Sequence, residues 1–254
     1  MRQTGKRQKK NDLCLELFGF PKTLLRKVKK CSKMANTASK DIEYLWIRIS
    51  KENDSTRKEK KGCILNLDDW LNIIDEAVSA GASWLVLTIE VPLDQMQEII
   101  EVCKWAQDTY KMKVGLFLCR ETITENEVQI LSCFKKNLTQ IFVKKKAFEQ
   151  FKKINEIGLF LGIADPQEYG NKPNCEGASK LLYVDSEGSI YTCGLVAGKK
   201  NYKLGSIYDR KFHEIVKDPS LPHSVAEKIH KVDEGCDGCP SLLAKHLKNN
   251  PLPQ

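Results

Sequence analysis

Five short segments rich in β-branched and aromatic residues recur through the middle of the chain, and a helical pattern follows each of the first four. Continuous apolar runs of this length are typical of strands buried on both faces. Strands that alternate with helices at about 25 residues per unit predict a parallel sheet with right-handed crossovers. The five predicted strands cover residues 44–49, 84–89, 114–118, 140–143 and 159–163.

Helix-forming sequence separates the predicted strands. In the first helical pattern, Leu67, Trp70 and Leu71 begin a repeat of apolar residues three and four apart, and Asn66 and Asp68 are candidate caps. Three further helices are predicted from Met96, Ile99, Ile100, Cys103 and Ala106, from the capping box of Thr124 and Glu127, and from Ala147, Phe148, Phe151 and Ile154. An eight-unit barrel needs about 250 residues. Five units therefore predict a partial, open barrel whose functional edge is formed by the carboxyl ends of its strands.

The sequence changes character after Asp165 and Pro166, where residues 169–174 are rich in turn formers and lack helical spacing. Beyond them, residues 181–185 and 189–193 flank a turn that contains Gly188 and predict a hairpin. The predicted fold class is α/β, a partial open (β/α) barrel of about five parallel units followed by a small α+β cysteine-ligated domain. The predicted domains are a basic arm at residues 1–42, the barrel at 43–165, the cysteine-ligated domain at 166–247 and a frayed tail at 248–254.

Positive charge is concentrated at the start of the chain. The first 40 residues contain 12 Lys or Arg against Asp12 and Glu16, so of the net charge of +8 the remainder of the chain carries about −2. A basic arm attracts nucleic acid, an anionic membrane surface or an acidic peptide. Residues 1–11 have no aromatic side chain to stack on bases, so the arm is interpreted as a solvated tail and a nucleic-acid partner is not expected. No secretory signal or membrane span is evident, and a cytoplasmic location is expected.

The ten cysteines fall into two groups. In a reducing cytosol they are not expected to form disulfides, so each is a packing residue, a nucleophile or a metal ligand. Core packing is the interpretation for Cys103, Cys119 and Cys133, which lie on or beside apolar patterns. Cys14 and Cys31 are isolated in the sequence, as is Cys63, and no role is assigned to these three.

The remaining four cysteines, Cys175, Cys193, Cys236 and Cys239, all lie next to turns in the C-terminal part. Four thiolates suit either a tetrahedral zinc site or a 4Fe-4S cluster. Zinc ribbons present two C-x2-C knuckles, whereas here only the last two cysteines form one and 17 residues separate the first two. The spacing favours the cluster, and a zinc-stabilised binding module with four cysteine ligands and no redox function is the alternative.

The pattern of Cys175, twelve residues, Gly188, four residues and Cys193 resembles the opening of the SPASM or "twitch" auxiliary-cluster module attached to radical SAM enzymes. Residues 202–216 resemble that module's Leu-Gly turn and short helix, and Cys236 with Cys239 matches its later C-x2-C pair. No cysteine follows Cys239. The resemblance therefore implies a single auxiliary cluster, held by these four cysteines.

The barrel resembles the radical SAM core, but its catalytic motif is missing. That family places C-x3-C-x2-C after the first strand to hold the cluster that cleaves S-adenosylmethionine, and at this spacing the chain has Glu52, Thr56 and Glu59. The family's Gly-Gly-Glu-Pro after the second strand is replaced by Ile-Glu-Val-Pro at residues 89–92, whose bulk obstructs close approach of a ligand to the backbone. S-adenosylmethionine is therefore not an expected cofactor.

These observations predict a degenerate relative of the radical SAM and SPASM proteins. It would keep one iron-sulfur cluster and act as an accessory, peptide-recognition or electron-transfer component in peptide or protein modification. The expected partner is a peptide substrate or a partner modifying enzyme, and the basic arm suits an acidic one. Near the open edge of the barrel, Asp68 and Asp69 are interpreted as helix N-terminal charges, and Glu90 has no assigned role. The four histidines are interpreted as solvated or core-edge residues.

Overall fold

The computed structural model describes residues 42–49, 65–164 and 181–218, all of which belong to one compact unit, Ala38–Gln254. Eight strands form one sheet in the order β5-β4-β3-β2-β1-β6-β7-β8. The strands are β1 (Tyr44–Ile49), β2 (Trp84–Ile89), β3 (Lys113–Leu118), β4 (Thr139–Val143), β5 (Phe160–Ile163), β6 (Leu181–Val184), β7 (Ser189–Tyr191) and β8 (Lys203–Ser206).

The first five strands lie side by side in sequence order, and all their pairings are parallel. The bounds of β1 and β2 are those predicted, β3 and β4 begin one residue earlier, and β5 begins one residue later. The predicted open α/β sheet is confirmed. The carboxyl ends of these strands meet at one edge, which is called the carboxyl edge below.

Helices connect the parallel strands, and two of them start at capping boxes. Helix α1 (Leu67–Ser79) begins after Asn66, whose side chain accepts a 3.0 Å hydrogen bond from the backbone N–H of Asp69. The Asp69 carboxylate returns a bond to the backbone of Asn66, so Asn66 is the cap and Asp68 is a first-turn charge. Helix α2 is Gln97–Thr109.

Helix α3 (Glu125–Ser132) starts at the predicted box of Thr124 and Glu127. The fourth predicted helix differs from expectation: a 3-10 helix, Lys145–Phe151, precedes a single α-helical turn, α4 (Lys153–Glu156). Lys144 makes no side-chain capping bond at the start of this segment, so nothing favours an α-helical first turn over the tighter 3-10 form. The predicted apolar positions Ala147, Phe151 and Ile154 are nevertheless buried.

The two faces of the sheet have different compositions, because successive side chains of a strand point to opposite faces. One face is aliphatic, as at Leu45 and Ile47 of β1. The other carries an aromatic cluster that includes Tyr44 and Trp46, called the inner cluster below. Its buried members are Tyr44, Trp46, Trp84, Val86, Phe117, Phe142, Ala164, Leu181, Tyr183, Tyr191, Cys193 and Val196. None of these described residues comes from α1–α4, so the connecting helices lie against the aliphatic face.

The C-terminal strands extend the sheet of the barrel. Strand β6 pairs in parallel with β1, with Tyr44 opposite Leu181 and Ile47 opposite Val184. Strand β7 returns antiparallel to β6 through the predicted turn, where Gly188 has a φ of 78° that favours glycine, and β8 then pairs with β7. The predicted hairpin is therefore present, joined directly to the first barrel strand.

A short helix, α5 (Phe212–Lys217), follows β8 and lies against α1. The carboxylate of Glu76 on α1 accepts a 2.9 Å hydrogen bond from the backbone N–H of Phe212. The short helix that the resemblance implies within residues 202–216 is thereby confirmed. No helix in the described parts of the chain is long and apolar enough to cross a membrane.

Candidate functional site

Cys193 is the one predicted metal ligand that falls within the described residues. It follows β7 and is buried in the inner cluster. Because Tyr183 pairs with Tyr191 in the antiparallel hairpin, Cys193 lies towards the start of β6 and hence towards the amino ends of the barrel strands. Its carbonyl oxygen accepts a 3.3 Å hydrogen bond from the N–H of Val196 in the turn that follows.

The backbone next to Cys193 is packed tightly against the first barrel strand. A Cβ atom built on Gly194 would lie 2.8 Å from the ring of Trp46 on β1 and 2.9 Å from the ring of Tyr183 on β6. Contacts this short are sterically forbidden, so only glycine lets the chain pass here. The backbone beside Cys193 is thus fixed by aromatic side chains of the sheet.

The other predicted ligands, Cys175, Cys236 and Cys239, lie outside the described residues. Within the described ranges, no three His, Cys, Asp or Glu side chains converge as a metal site would require. The four-cysteine site therefore stays a prediction.

The remaining described cysteines have different environments. Cys103 is buried on α2, as expected of a packing residue, and burial raises the pKa of its thiol. Cys119 is half-buried at the end of β3 and packs against the inner cluster. The expectation that all cysteines are reduced is wrong for Cys133, which is disulfide-bonded in the structure.

An ion pair lies at the carboxyl edge of β1 and β2, where the sequence had assigned no role to Glu90. Nε and one Nη of Arg48 donate to the same oxygen of Glu90, Oε1, at 3.1 and 2.5 Å. Two positions earlier on the same two strands, the indole N–H of Trp46 donates to the hydroxyl of Thr88 at 2.8 Å. Arg48 was missed in the sequence, although a charged residue near the end of an otherwise apolar strand was the available signal.

Tyr183 links this edge to the hairpin. Its ring meets that of Trp46 edge to face, with 5.1 Å between ring centroids, and lies 6.3 Å from the ring of Tyr191. Burial raises the pKa of the Tyr183 hydroxyl, and the positive charge of Arg48 only partly opposes this effect. The hydroxyl is therefore neutral at physiological pH, and Arg48 has Glu90 as its anionic neighbour.

The segment after β2 is fixed by a buried carboxylate. Ile89 and Val91 are both buried, and a short 3-10 helix, Leu93–Gln95, starts after Pro92. The fully buried carboxylate of Glu127 accepts a 2.8 Å hydrogen bond from the backbone N–H of Leu93.

Glu127 also forms an ion pair with Arg120 and accepts a 3.0 Å bond from the N–H of Thr124. Burial alone would raise the pKa of this carboxyl, but the bonds from Arg120, Thr124 and Leu93 outweigh it and lower the pKa. The capping box was therefore predicted correctly, whereas the ion pair with Arg120 was not.

The structure describes one of the histidines discussed above but not the positions of the missing cysteine motif. His213 is exposed on α5, as expected of a solvated histidine. Glu52, Thr56 and Glu59, at the spacing of the missing cysteine motif, lie outside the described residues. Within the described part of this edge, the resemblance expects two glycines where the chain has the buried Ile89 and Glu90, the ion-pair partner of Arg48.

Comparison with known proteins supports the resemblance drawn from the sequence. The SPASM family model, described as an iron-sulfur cluster-binding domain, matches residues 175–240. No curated protein matches the chain. The solved structure of BtrN in complex with AdoMet and 2-DOIA is 9% identical with a TM-score of 0.50, covering 78% of this chain and 92% of that chain.

Two structures of Streptococcus suis SuiB are also similar. The complex with S-adenosylmethionine is 13% identical, with a TM-score of 0.46, and the match covers 78% of this chain and 68% of that chain. The complex with the precursor peptide SuiA is 13% identical, with a TM-score of 0.49, and the match covers 87% and 73%. The predicted resemblance to radical SAM proteins that carry a SPASM domain is confirmed, and at these identities the structural likeness establishes the fold alone.

Proposed function

We propose that this chain binds one 4Fe-4S cluster through Cys175, Cys193, Cys236 and Cys239. We further propose that it acts as an accessory component in peptide or protein modification, without cleaving S-adenosylmethionine itself. The observation that carries the first proposal is the extent of the SPASM match, which spans residues 175–240 and so includes all four cysteines.

The described ligand suits this cofactor. Cys193 is buried beside aromatic rings, and the backbone of the neighbouring Gly194 packs tightly against Trp46 and Tyr183, so this ligand lies on well-packed backbone and away from water. Four thiolates are the usual ligands of a 4Fe-4S cluster, and burial lowers the solvent access that influences its reduction potential. When bound, such a cluster supplies one-electron transfer or a structural anchor.

The absence of S-adenosylmethionine cleavage is supported by two features of this chain. Its 254 residues contain no C-x3-C-x2-C motif, so there are no three thiolates at the spacing that holds the cleaving cluster. At the end of β2, Ile89, which is buried, and Glu90, which is held by Arg48, stand where the family has its paired glycines, and the next residue, Val91, is also buried. Neither the donor set nor the backbone fits that cofactor.

The proposed partner is a peptide substrate or a modifying enzyme that presents acidic groups. The first 40 residues carry 12 Lys or Arg against two acidic residues, a charge that accelerates encounter with an acidic partner. The location we propose is the cytoplasm, where the four proposed ligand thiols would stay reduced and available to iron, although Cys133 is disulfide-bonded.

The test is anaerobic purification of the full chain followed by quantification of iron, sulfide and zinc. About four iron and four sulfide per chain are expected. A Cys236→Ala, Cys239→Ala double variant should lose them, whereas Cys103→Ala, which removes a buried packing thiol, should keep them. One zinc per chain with little iron would instead identify the zinc-stabilised binding module.

The catalytic part of the proposal has its own readout. The purified protein, incubated with S-adenosylmethionine and a strong reductant, should release no 5'-deoxyadenosine detectable by mass spectrometry. Its release by the protein alone would refute the accessory role while leaving the cluster assignment standing.

A further inference from the structure

Arg48 is a charged residue at the end of an otherwise apolar strand. The sequence of β1 is YLWIRI, and its other five side chains are buried, whereas the Arg48 side chain is 54% exposed and that of Glu90 is 34% exposed. An ion pair with this exposure contributes little to stability, because water screens it. Stabilisation of the sheet is therefore a weak explanation for placing a guanidinium here.

The position of the pair favours a ligand. Arg48 and Glu90 lie at the carboxyl edge of two adjacent parallel strands, which is the edge where open α/β sheets bind ligands. Trp46 and Thr88, joined by a buried hydrogen bond, lie in the sheet beside them and give the pair a rigid base. Trp46 is itself held by its edge-to-face contact with Tyr183.

The hydrogen bonds of the pair leave part of each partner unused. Both bonds from Arg48 go to Oε1 of Glu90, through Nε and one Nη. A guanidinium has five N–H donors, and its two-Nη edge matches a carboxylate in a bidentate geometry. Within the described residues, the second Nη makes no hydrogen bond, and Glu90 Oε2 accepts none.

We propose that Arg48 binds a carboxylate of an acidic peptide at the carboxyl edge, with Glu90 orienting the guanidinium. Glu90 holds the Nε edge, and the peptide carboxylate takes the two-Nη edge. A further carboxylate at this edge, that of Asp185 directly after β6, already accepts the backbone N–H groups of Glu187 and Ser189 through Oδ1. This inference rests on the proposed accessory role in peptide modification and names the chemical group that the site would recognise.

The experiment uses the anaerobically purified full chain, with its iron content measured on the same sample. Two blocked peptides, acetyl-(Glu-Ala)4-amide and acetyl-(Gln-Ala)4-amide, are titrated by calorimetry at physiological ionic strength. The wild type should bind the Glu peptide more tightly than the Gln peptide. Arg48→Gln should weaken binding of the Glu peptide about tenfold, the effect of losing a hydrogen-bonded charge.

The matched control is Lys153→Gln, which removes another half-exposed cation that is paired with a glutamate, Glu125, away from the pair. It should leave the affinity for the Glu peptide unchanged. It therefore controls for the loss of one positive charge elsewhere in the chain and for non-specific attraction by the basic arm. Glu90→Gln should strengthen binding of the Glu peptide severalfold, because it removes the negative charge that faces the ligand. Circular dichroism of each variant verifies that the fold is retained.

Three outcomes would overturn the inference. They are no saturable binding of the Glu peptide, equal affinity in the wild type and Arg48→Gln, or binding of inorganic phosphate that Arg48→Gln abolishes. The last would assign the site to a phosphate group. Since iron is measured separately, a failed titration with a full complement of iron rejects the peptide site alone, and loss of iron with intact titration rejects the cluster alone.

Discussion

The carboxyl edge of β1 and β2 and the hairpin of β6 and β7 belong to one sheet but differ in what they retain. At the first, five parallel strands lie side by side in sequence order, while the cysteine and glycine motifs that the resemblance implies are not found in the sequence. At the second, the described residues form two short strands, and Gly188 and Cys193 have a spacing that resembles that of the cluster module. The fold of a barrel depends on many apolar residues, so it can persist when a few ligand-binding residues are substituted.

The two regions are also stabilised differently. The loops at the carboxyl edge are fixed by a buried polar network around Glu127. The hairpin region is fixed by packing on β1 at Gly194 and by the contact of α5 with α1 through Glu76. Substitutions that remove each of these features therefore separate the stability of the barrel from that of the hairpin region.

The largest effect is expected at Glu127. Replacement by Ala leaves the Arg120 guanidinium buried without its anion and orphans the N–H of Leu93, which should lower the free energy of unfolding by about 3–5 kcal/mol. Urea denaturation measures this change. The iron content of the folded variant should match the wild type, because the network belongs to the barrel loops. A change below about 1 kcal/mol would show that the network does not hold these loops.

The same carboxyl predicts a dependence on pH. Because folding lowers the pKa of Glu127, its contribution to stability is complete above the unfolded pKa of about 4.3 and is lost as the pH falls through the lower folded value. The difference in stability between the wild type and Glu127→Gln should therefore be constant near neutrality and shrink in acid. Glu121→Gln is the control: the pKa of Glu121 is also lowered by its partner Lys146, but this ion pair is exposed and screened by solvent, so the change with pH should be much smaller.

A smaller loss is expected from Gly194→Ala. The added methyl would overlap the rings of Trp46 and Tyr183, and overpacking of this kind costs about 1–3 kcal/mol. Because Cys193 is the adjacent residue, the variant should also lower iron occupancy, which the Glu127 variants should not. Unfolding curves and iron analysis measure the two effects.

Gly198→Ala is the matched comparison in the same segment. A Cβ on Gly198 meets nothing within 4 Å, but its φ of 79° still disfavours alanine. Its cost should be only about 1 kcal/mol, with iron retained. If both variants lost iron equally, the loss could not be attributed to the tight packing of Gly194.

Much of the barrel could be predicted because its strands are continuous apolar runs bounded by capped helices. β1 and β2 have the predicted bounds, and the boxes at Asn66 and Thr124 start their helices. The prediction of the fourth helix was only partly right, because apolar residues three and four positions apart are compatible with both 3-10 and α-helical turns.

The pairing of β6 with β1 could not be predicted from the sequence. Turn residues around Gly188 specify a hairpin locally, but they carry no information on which strand the hairpin joins. The Arg48–Glu90 pair was missed for a related reason. Its residues are 42 positions apart and meet only because β1 and β2 are in register. The four-cysteine site remains a prediction from spacing, resemblance and the family match.

The smallest effect is expected where the two regions meet, at Glu76. Its carboxylate accepts the backbone N–H of Phe212, one of the donors that the start of α5 leaves unsatisfied. Loss of a capping acceptor costs about 1 kcal/mol, so Glu76→Ala should speed hydrogen exchange in the first turn of α5 while amides of β2 keep their protection. Glu76→Gln retains a carbonyl acceptor and should restore most of the protection. Faster exchange throughout the sheet would instead mean that the contact of α1 with α5 supports the barrel as a whole, and the two regions would then unfold as one unit.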